Sequence, residues 1–170
     1  MDIFPPVTVE RFERIQPGDL FVYLSEQNCY AIKTETLSNG DRSSLVVLGP
    51  AFPYPANESF LLPWQAANVV SYGKNFSVLL PDDPDAWFDT GTTREPVCLA
   101  VSGGKVFVCT NGGSSPREFA QCYVELATGK IVQGRMPGAA YTNQWEIAVS
   151  HSRLQPRTLL KYPLRKGATA

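Results

Sequence analysis

Apolar and polar side chains alternate along most of this chain, in short runs broken by glycine, proline, asparagine or serine. Period-two alternation fits a strand, because successive strand side chains point to opposite faces. "DLFVYLS" and "CYAIKTE" flank a short turn at Glu26-Gln27, and "TLSNGDRSSLVVLG" holds the hairpin signal Asn39-Gly40. "AANVVSY" and "NFSVLL" flank Gly73-Lys74, and "PVCLAVS" and "KVFVCT" flank Gly103-Gly104. "EFAQCYVEL" and "KIVQ" flank Ala127-Thr128-Gly129, and "QWEIAVS" and "RTLLKY" close the series. These are eleven short strand candidates at regular spacing. The pattern predicts an all-β protein, built as small antiparallel barrels or a sandwich.

One segment reads differently. "TVERFERIQPG" predicts a short N-terminal helical turn, with Thr8 as N-cap and Pro17-Gly18 as its stop.

The hairpin at Gly103-Gly104 can be registered residue by residue. A type I′ turn needs positive φ at both central positions, which glycine supplies. It pairs Ser102 with Lys105, Val101 with Val106, Ala100 with Phe107, Leu99 with Val108 and Cys98 with Cys109. Val97, Leu99, Val101, Val106 and Val108 then share the face that meets the core. Cys98 and Cys109 oppose each other on the other face, within the span a disulfide can bridge.

Two segments interrupt the strands. Residues 49–64, "GPAFPYPANESFLLPW", form a proline- and aromatic-rich loop, and residues 81–96, "PDDPDAWFDTGTTREP", are polar and proline-bounded. The second reads as a linker. The expected organisation is residues 1–84 as a barrel-like half, 85–95 as linker, 96–164 as a second half and 165–170 as a disordered tail. A weak internal repeat supports the division. "VVSYGKNFSVLLPDDP" resembles "AVSHSRLQPRTLLKYP", and a shift of 77 to 80 residues lays "LFVYLSEQNCYAIKT" on "VCLAVSGGKVFVCTN". A duplication would make each half about the size of a small SH3-like barrel.

Charge sharpens this division. The net charge is only −1, but residues 1–90 hold 5 Lys/Arg against 12 Asp/Glu, and residues 91–170 hold 10 against 4. Two such halves attract each other, or the second presents a basic face to an acidic partner. With 44% hydrophobic residues the chain can bury a core, and its 13 glycines and 14 prolines leave little room for long helices. No run approaches the ~20 apolar residues that cross a bilayer, and "MDIFPPVTVERFERI" lacks the charged and apolar regions of a signal peptide. The expected setting is cytoplasmic, away from membranes.

Chemistry-bearing motifs are sparse. The four cysteines form no CxxC and there is one histidine, so a structural zinc site is disfavoured. His151 aligns with Tyr72 in the repeat, which suggests a structural strand end. Asp82, Asp83, Asp85 and Asp89 are interrupted by prolines and do not form a calcium loop. Gly112-Gly113 lies in "TNGGSSPRE", which lacks a Walker lysine. No metal or cofactor is expected.

Two groups remain as candidate binding residues. If strands alternate up and down, loops 111–118 and 134–143 share one end and gather Asn111, Arg117, Arg135, Tyr141 and Asn143. Two arginines, two amides and a phenol can hold a carboxylate, a phosphate or a peptide backbone. The other group is the aromatic loop with Phe52, Tyr54 and Trp64, residue types enriched at interfaces. The function expected is a non-catalytic binding or interaction protein that presents loops of a small β scaffold to a protein or peptide partner. One alternative is an enzyme with an unfamiliar thiol- or arginine-based site, using Cys109 or Cys122 with His151. The other is nucleic-acid binding through Arg153, Arg157, Lys161, Arg165 and Lys166.

Overall fold

A computed structural model describes residues 7–23, 29–35, 45–49, 68–89, 98–111, 121–150 and 156–162. Strands dominate these residues, and all of their ladders are antiparallel. Three sheets result. The first contains β1 (Thr8–Arg11), β2 (Leu20–Tyr23), β3 (Cys29–Lys33), β4 (Leu45–Gly49) and β5 (Asn68–Gly73), in the order β1-β5-β2-β3-β4. After β6 (Phe76–Leu79), the second contains β7 (Leu99–Ser102), β8 (Lys105–Asn111), β9 (Gln121–Glu125), β10 (Ile131–Gln133) and β11 (Ala140–Thr142). Its order is β10-β9-β8-β7-β11. The third joins β6 to β12 (Trp145–Ser150) and β13 (Pro156–Tyr162), with β12 central. Among the described residues no barrel closes, and no helix is long and apolar enough to cross a membrane.

Each of the eleven expected strands is present, and β1 and β11 are additional. The N-terminal segment differs from the helical expectation. Thr8–Arg11 pairs with β5, and a single 3-10 turn, Phe12–Arg14, follows. The Thr8 hydroxyl donates to Glu10 Oε1 at 2.6 Å instead of capping a helix. Val9, Phe12 and Ile15 do recur at helix-like spacing, but Phe12 and Ile15 turn inward under the first sheet while Val9 stays 69% exposed. Lys33 secures this turn from beneath. Its ammonium donates to the carbonyls of Phe12, Glu13 and Ile15 at 3.1, 3.3 and 2.6 Å, satisfying groups that a 3-10 turn leaves unpaired. The same ammonium lies 4.9 Å from the Phe12 ring centroid. Burial lowers the Lys33 pKa, and Asp19 and Glu13 oppose that shift.

The Gly103-Gly104 hairpin has the expected register from Leu99↔Val108 to Ser102↔Lys105, with φ of +57° and +73° at the glycines. Cys109 N–H donates to Cys98 O at 2.8 Å, so the cysteines are cross-strand neighbours. Neither is in a disulfide. The expected core face holds for three of its five residues: Leu99 and Val108 join Leu20, Ile32, Val124, Leu126, Trp145, Ile147, Val149, Leu160 and Tyr162 in one cluster that draws on all three sheets, and Val106 packs against it, whereas Val101 is half-buried outside the cluster and Val97 lies outside the described residues. Trp145 stacks on Tyr162 with centroids 4.5 Å apart.

The opposite face of the second sheet is buried as well, for a topological reason. β10 and β11 occupy opposite edges, so residues 134–139 must cross the sheet between them. That crossing packs Met136 and Ala139 over Cys98, Ala100, Phe107, Cys109 and Tyr123. Phe88 adds a bridge to Tyr141, with N–H···O bonds of 3.0 and 2.8 Å and stacked rings. Phe12 and Ile15 cover the outer face of the first sheet in a comparable way, over Phe21, Cys29, Ala31 and Val69.

Two glycine turns meet where the first sheet adjoins the second. Gly18 N–H donates to Lys33 O at 2.8 Å within the first half, and Glu35 N–H donates to Gly129 O at 2.9 Å across to the second. The Glu35 carboxylate then accepts from Ile131 N–H at 2.9 Å. A Cβ on Gly18 would sit 2.5 Å from Ala127 O, and one on Gly129 would sit 2.4 Å from Lys33 O.

Candidate functional site

The Gly103-Gly104 hairpin turn borders a cleft. Gly73 has φ +57° and lets the chain bend between β5 and β6. β6 does not fold back on β5; it crosses to pair with β12, from Phe76↔Val149 to Leu79↔Glu146. Phe76 and Val78 thereby point towards the shared core, and Ser77 and Leu79 point outward, Leu79 being 45% exposed. The second sheet ends nearby at the Gly103-Gly104 turn and at residues 125–127. Between them lies a cleft of about 370 Å³, lined by Lys74, Phe76, Val78, Gly104, Lys105, Val106, Glu125, Leu126 and Ala127.

The floor is apolar because it is one end of the main core: Leu126 is buried there, and Phe76, Val78 and Val106 are half-buried against it. The rim is charged. Lys105 Nζ lies 3.1 Å from Glu125 Oε1, and the Glu125 side chain is only 7% exposed. Lys74, on the facing turn, is exposed and makes no ion pair with a described carboxylate. β6 is an edge strand, since among the described strands only β12 pairs with it. The site is therefore an apolar slot lined on one side by β6, whose second edge pairs with no described strand, with two cations and one anion at its mouth.

Of the residues singled out from the sequence, those that are described lie elsewhere. Arg117 and the aromatic loop residues Phe52, Tyr54 and Trp64 lie outside the described residues, as does His151. Asn111 ends β8, its backbone paired with Gln121. Arg135 is exposed in the crossing segment, and Asn143 is half-buried just after β11. Both are at the end of the second sheet away from the cleft. Arg135 follows one edge strand and Asn143 the other, with four strand spacings between those edges, about 19 Å. Tyr141 is buried in the cysteine-containing cluster, where its hydroxyl meets that of Tyr123 at 3.3 Å. The expectation that the Gly103 and Gly129 turns share an end agrees with Gly104 and Ala127 lining one cleft.

The thiols occupy apolar surroundings. Burial raises the Cys29 pKa to about 11 and also raises that of Cys122. Cys109 is raised by its hydrogen bond with Cys98 and then by burial. Burial raises Tyr123 too, helped by its bond to Tyr141. A nucleophilic cysteine needs the reverse, a thiolate stabilised near neutral pH. Among the described residues no group of three or more His, Cys, Asp or Glu side chains is placed to hold a metal.

Sequence reasoning missed the cleft because β6 pairs with β12, a strand distant in the sequence, instead of folding back on β5. One signal was available: Lys74 and Lys105 each follow a glycine turn and precede an apolar strand. Comparisons with family models, curated proteins and solved structures find no match to this chain.

Proposed function

We propose that this protein is a non-catalytic binding module that takes an extended segment of a protein or peptide partner along the open edge of β6. The carrying observation is the apolar cleft lined by Phe76 and Val78 of that strand, whose second edge pairs with no described strand. A strand added to an exposed sheet edge gains affinity from main-chain hydrogen bonds and specificity from pockets for alternate side chains. The cleft's volume of about 370 Å³ is at the small end of ligand sites, about 300–1,000 Å³, and suits one or two large side chains. Cys29, Cys109 and Cys122 give little support to a thiol enzyme, because their pKa values move away from reactivity.

The proposal includes a scaffold of two tandem SH3-like halves. Corresponding registers support it: Leu20↔Ile32 and Ile32↔Val46 in the first sheet match Leu99↔Val108 and Val108↔Val124 in the second. The edge contacts correspond too, β1 against β5 and Phe88 against Tyr141.

The test is selection of a displayed random-peptide library on the full chain, followed by amide chemical-shift mapping. The expected result is enriched peptides that share an apolar residue and shift Phe76, Val78, Val106 and Leu126. Enriched peptides should lose at least roughly tenfold in affinity on Val78→Arg, with that variant's fold checked by circular dichroism. Equal recovery on the parent and a folded Val78→Arg chain refutes the proposal.

A further inference from the structure

The charges at the rim of the cleft say more than its apolar floor, and they identify which part of a partner fits. We infer that the cleft captures a free peptide C-terminus whose last side chain is large and apolar, with Lys74 receiving the terminal carboxylate. This rests on the binding reading above and specifies its ligand.

Lys105 is already matched by Glu125, at 3.1 Å. Among the described residues, the ammonium of Lys74 is therefore the rim's unbalanced charge. The complement to that rim is a single negative charge beside an apolar body. A C-terminal residue supplies both within one unit: a carboxylate on the backbone and a side chain directed to the other side of the strand. An internal segment offers a neutral carbonyl at the same place and leaves Lys74 unmatched. The turn facing Lys74 is also approachable. Gly104 lines the cleft, and a Cβ there would meet nothing within 4 Å, so the backbone has open space beside it. The floor of Phe76, Val78, Val106 and Leu126 presents carbon surface to the last side chain, whose burial stabilises the complex in proportion to apolar area.

A free amphiphilic acid shares this chemistry but lacks a backbone to pair with β6, and the test separates the two. The full chain is probed with two arrays of the same apolar-ended peptides, one set ending in free carboxylates and the other in amides, and separately with decanoate. Carboxylate peptides are expected to bind at least roughly tenfold more tightly than their amides, the scale of one charge-assisted hydrogen bond. Lys74→Met should reduce that ratio to near one, and Arg14→Met, on the distant 3-10 turn, should leave it unchanged. Decanoate is expected to compete, weakly. Equal binding of acids and amides overturns the C-terminal inference and leaves the strand-addition reading standing. Binding to neither array overturns both. Saturable decanoate binding without any peptide binding overturns the inference in favour of a free acid.

Discussion

Replacing Gly129 with alanine tests how the two five-stranded sheets are joined. Gly129 has φ +70°, where an L side chain costs about 1–2 kcal/mol. The larger cost is steric. The new Cβ would lie 2.4 Å from Lys33 O and 2.6 Å from Gly18 N, both rigid backbone atoms, so the junction must open. Opening strains three hydrogen bonds: Gly18 N–H to Lys33 O, Glu35 N–H to Gly129 O, and Ile131 N–H to the Glu35 carboxylate. At about 1 kcal/mol for each bond lost, two or three losses bring the total to roughly 3–5 kcal/mol. Gly103→Ala is the matched control. Its φ is +57°, but nothing lies within 4 Å of its Cβ, so only the backbone cost of about 1–2 kcal/mol applies. Urea unfolding followed by circular dichroism reads both, and a chain of this size loses roughly 2–4 °C of Tm per kcal/mol. Gly129→Ala unfolding within 1 kcal/mol of Gly103→Ala refutes the close-contact account.

Two further outcomes concern the thiols. Cys29 is raised from 9.0 to about 11 by burial, so the folded state holds its proton where the unfolded state loses it. That contribution is complete below pH 9 and is lost as pH rises towards 11, on the order of 2–3 kcal/mol across the window; Cys29→Ala should flatten that part of a stability-against-pH curve, and an unchanged curve contradicts the assignment. Cys98 and Cys109 should both be alkylated by iodoacetamide after unfolding without reductant, and neither at pH 7 in the folded chain. A mass shift of one disulfide, or rapid native labelling, would contradict free and unreactive thiols.

Local geometry was legible in the sequence wherever it depended on neighbours in the chain. Gly103-Gly104 fixed a two-residue turn, and the turn fixed the register of the four residue pairs beside it. Alternation then placed Leu99 and Val108 in the core. Thr8–Arg11 was read wrongly because Thr8 fits an N-cap and Pro17-Gly18 a helix stop, and the partner that makes this segment a strand, β5, is some sixty residues away. Tyr141 was assigned to a binding loop for a similar reason. Its burial depends on Phe88 and on the crossing of residues 134–139 over the sheet, neither of which has a local signature. A partial signal did exist: "VCLAV" and "VFVC" are apolar at every position, as expected of strands covered on both faces.

The cleft follows from the same contrast between local and distant pairing. Had β6 folded back on β5, Phe76 and Val78 would have extended the first sheet and left the end of the main core to be closed by other residues. Pairing with β12 instead carries β6 into the third sheet, where only one of its edges meets a described strand. Phe76 and Val78 then line one wall of the opening, and the Gly103-Gly104 hairpin lines the other. A single exchange of strand partner thus accounts for the open edge, the apolar floor and the facing lysines together. A variant that restored β5–β6 pairing would be expected to lose all three at once, whereas the thiol cluster on the far face of the second sheet, which shares no residue with the cleft, would persist.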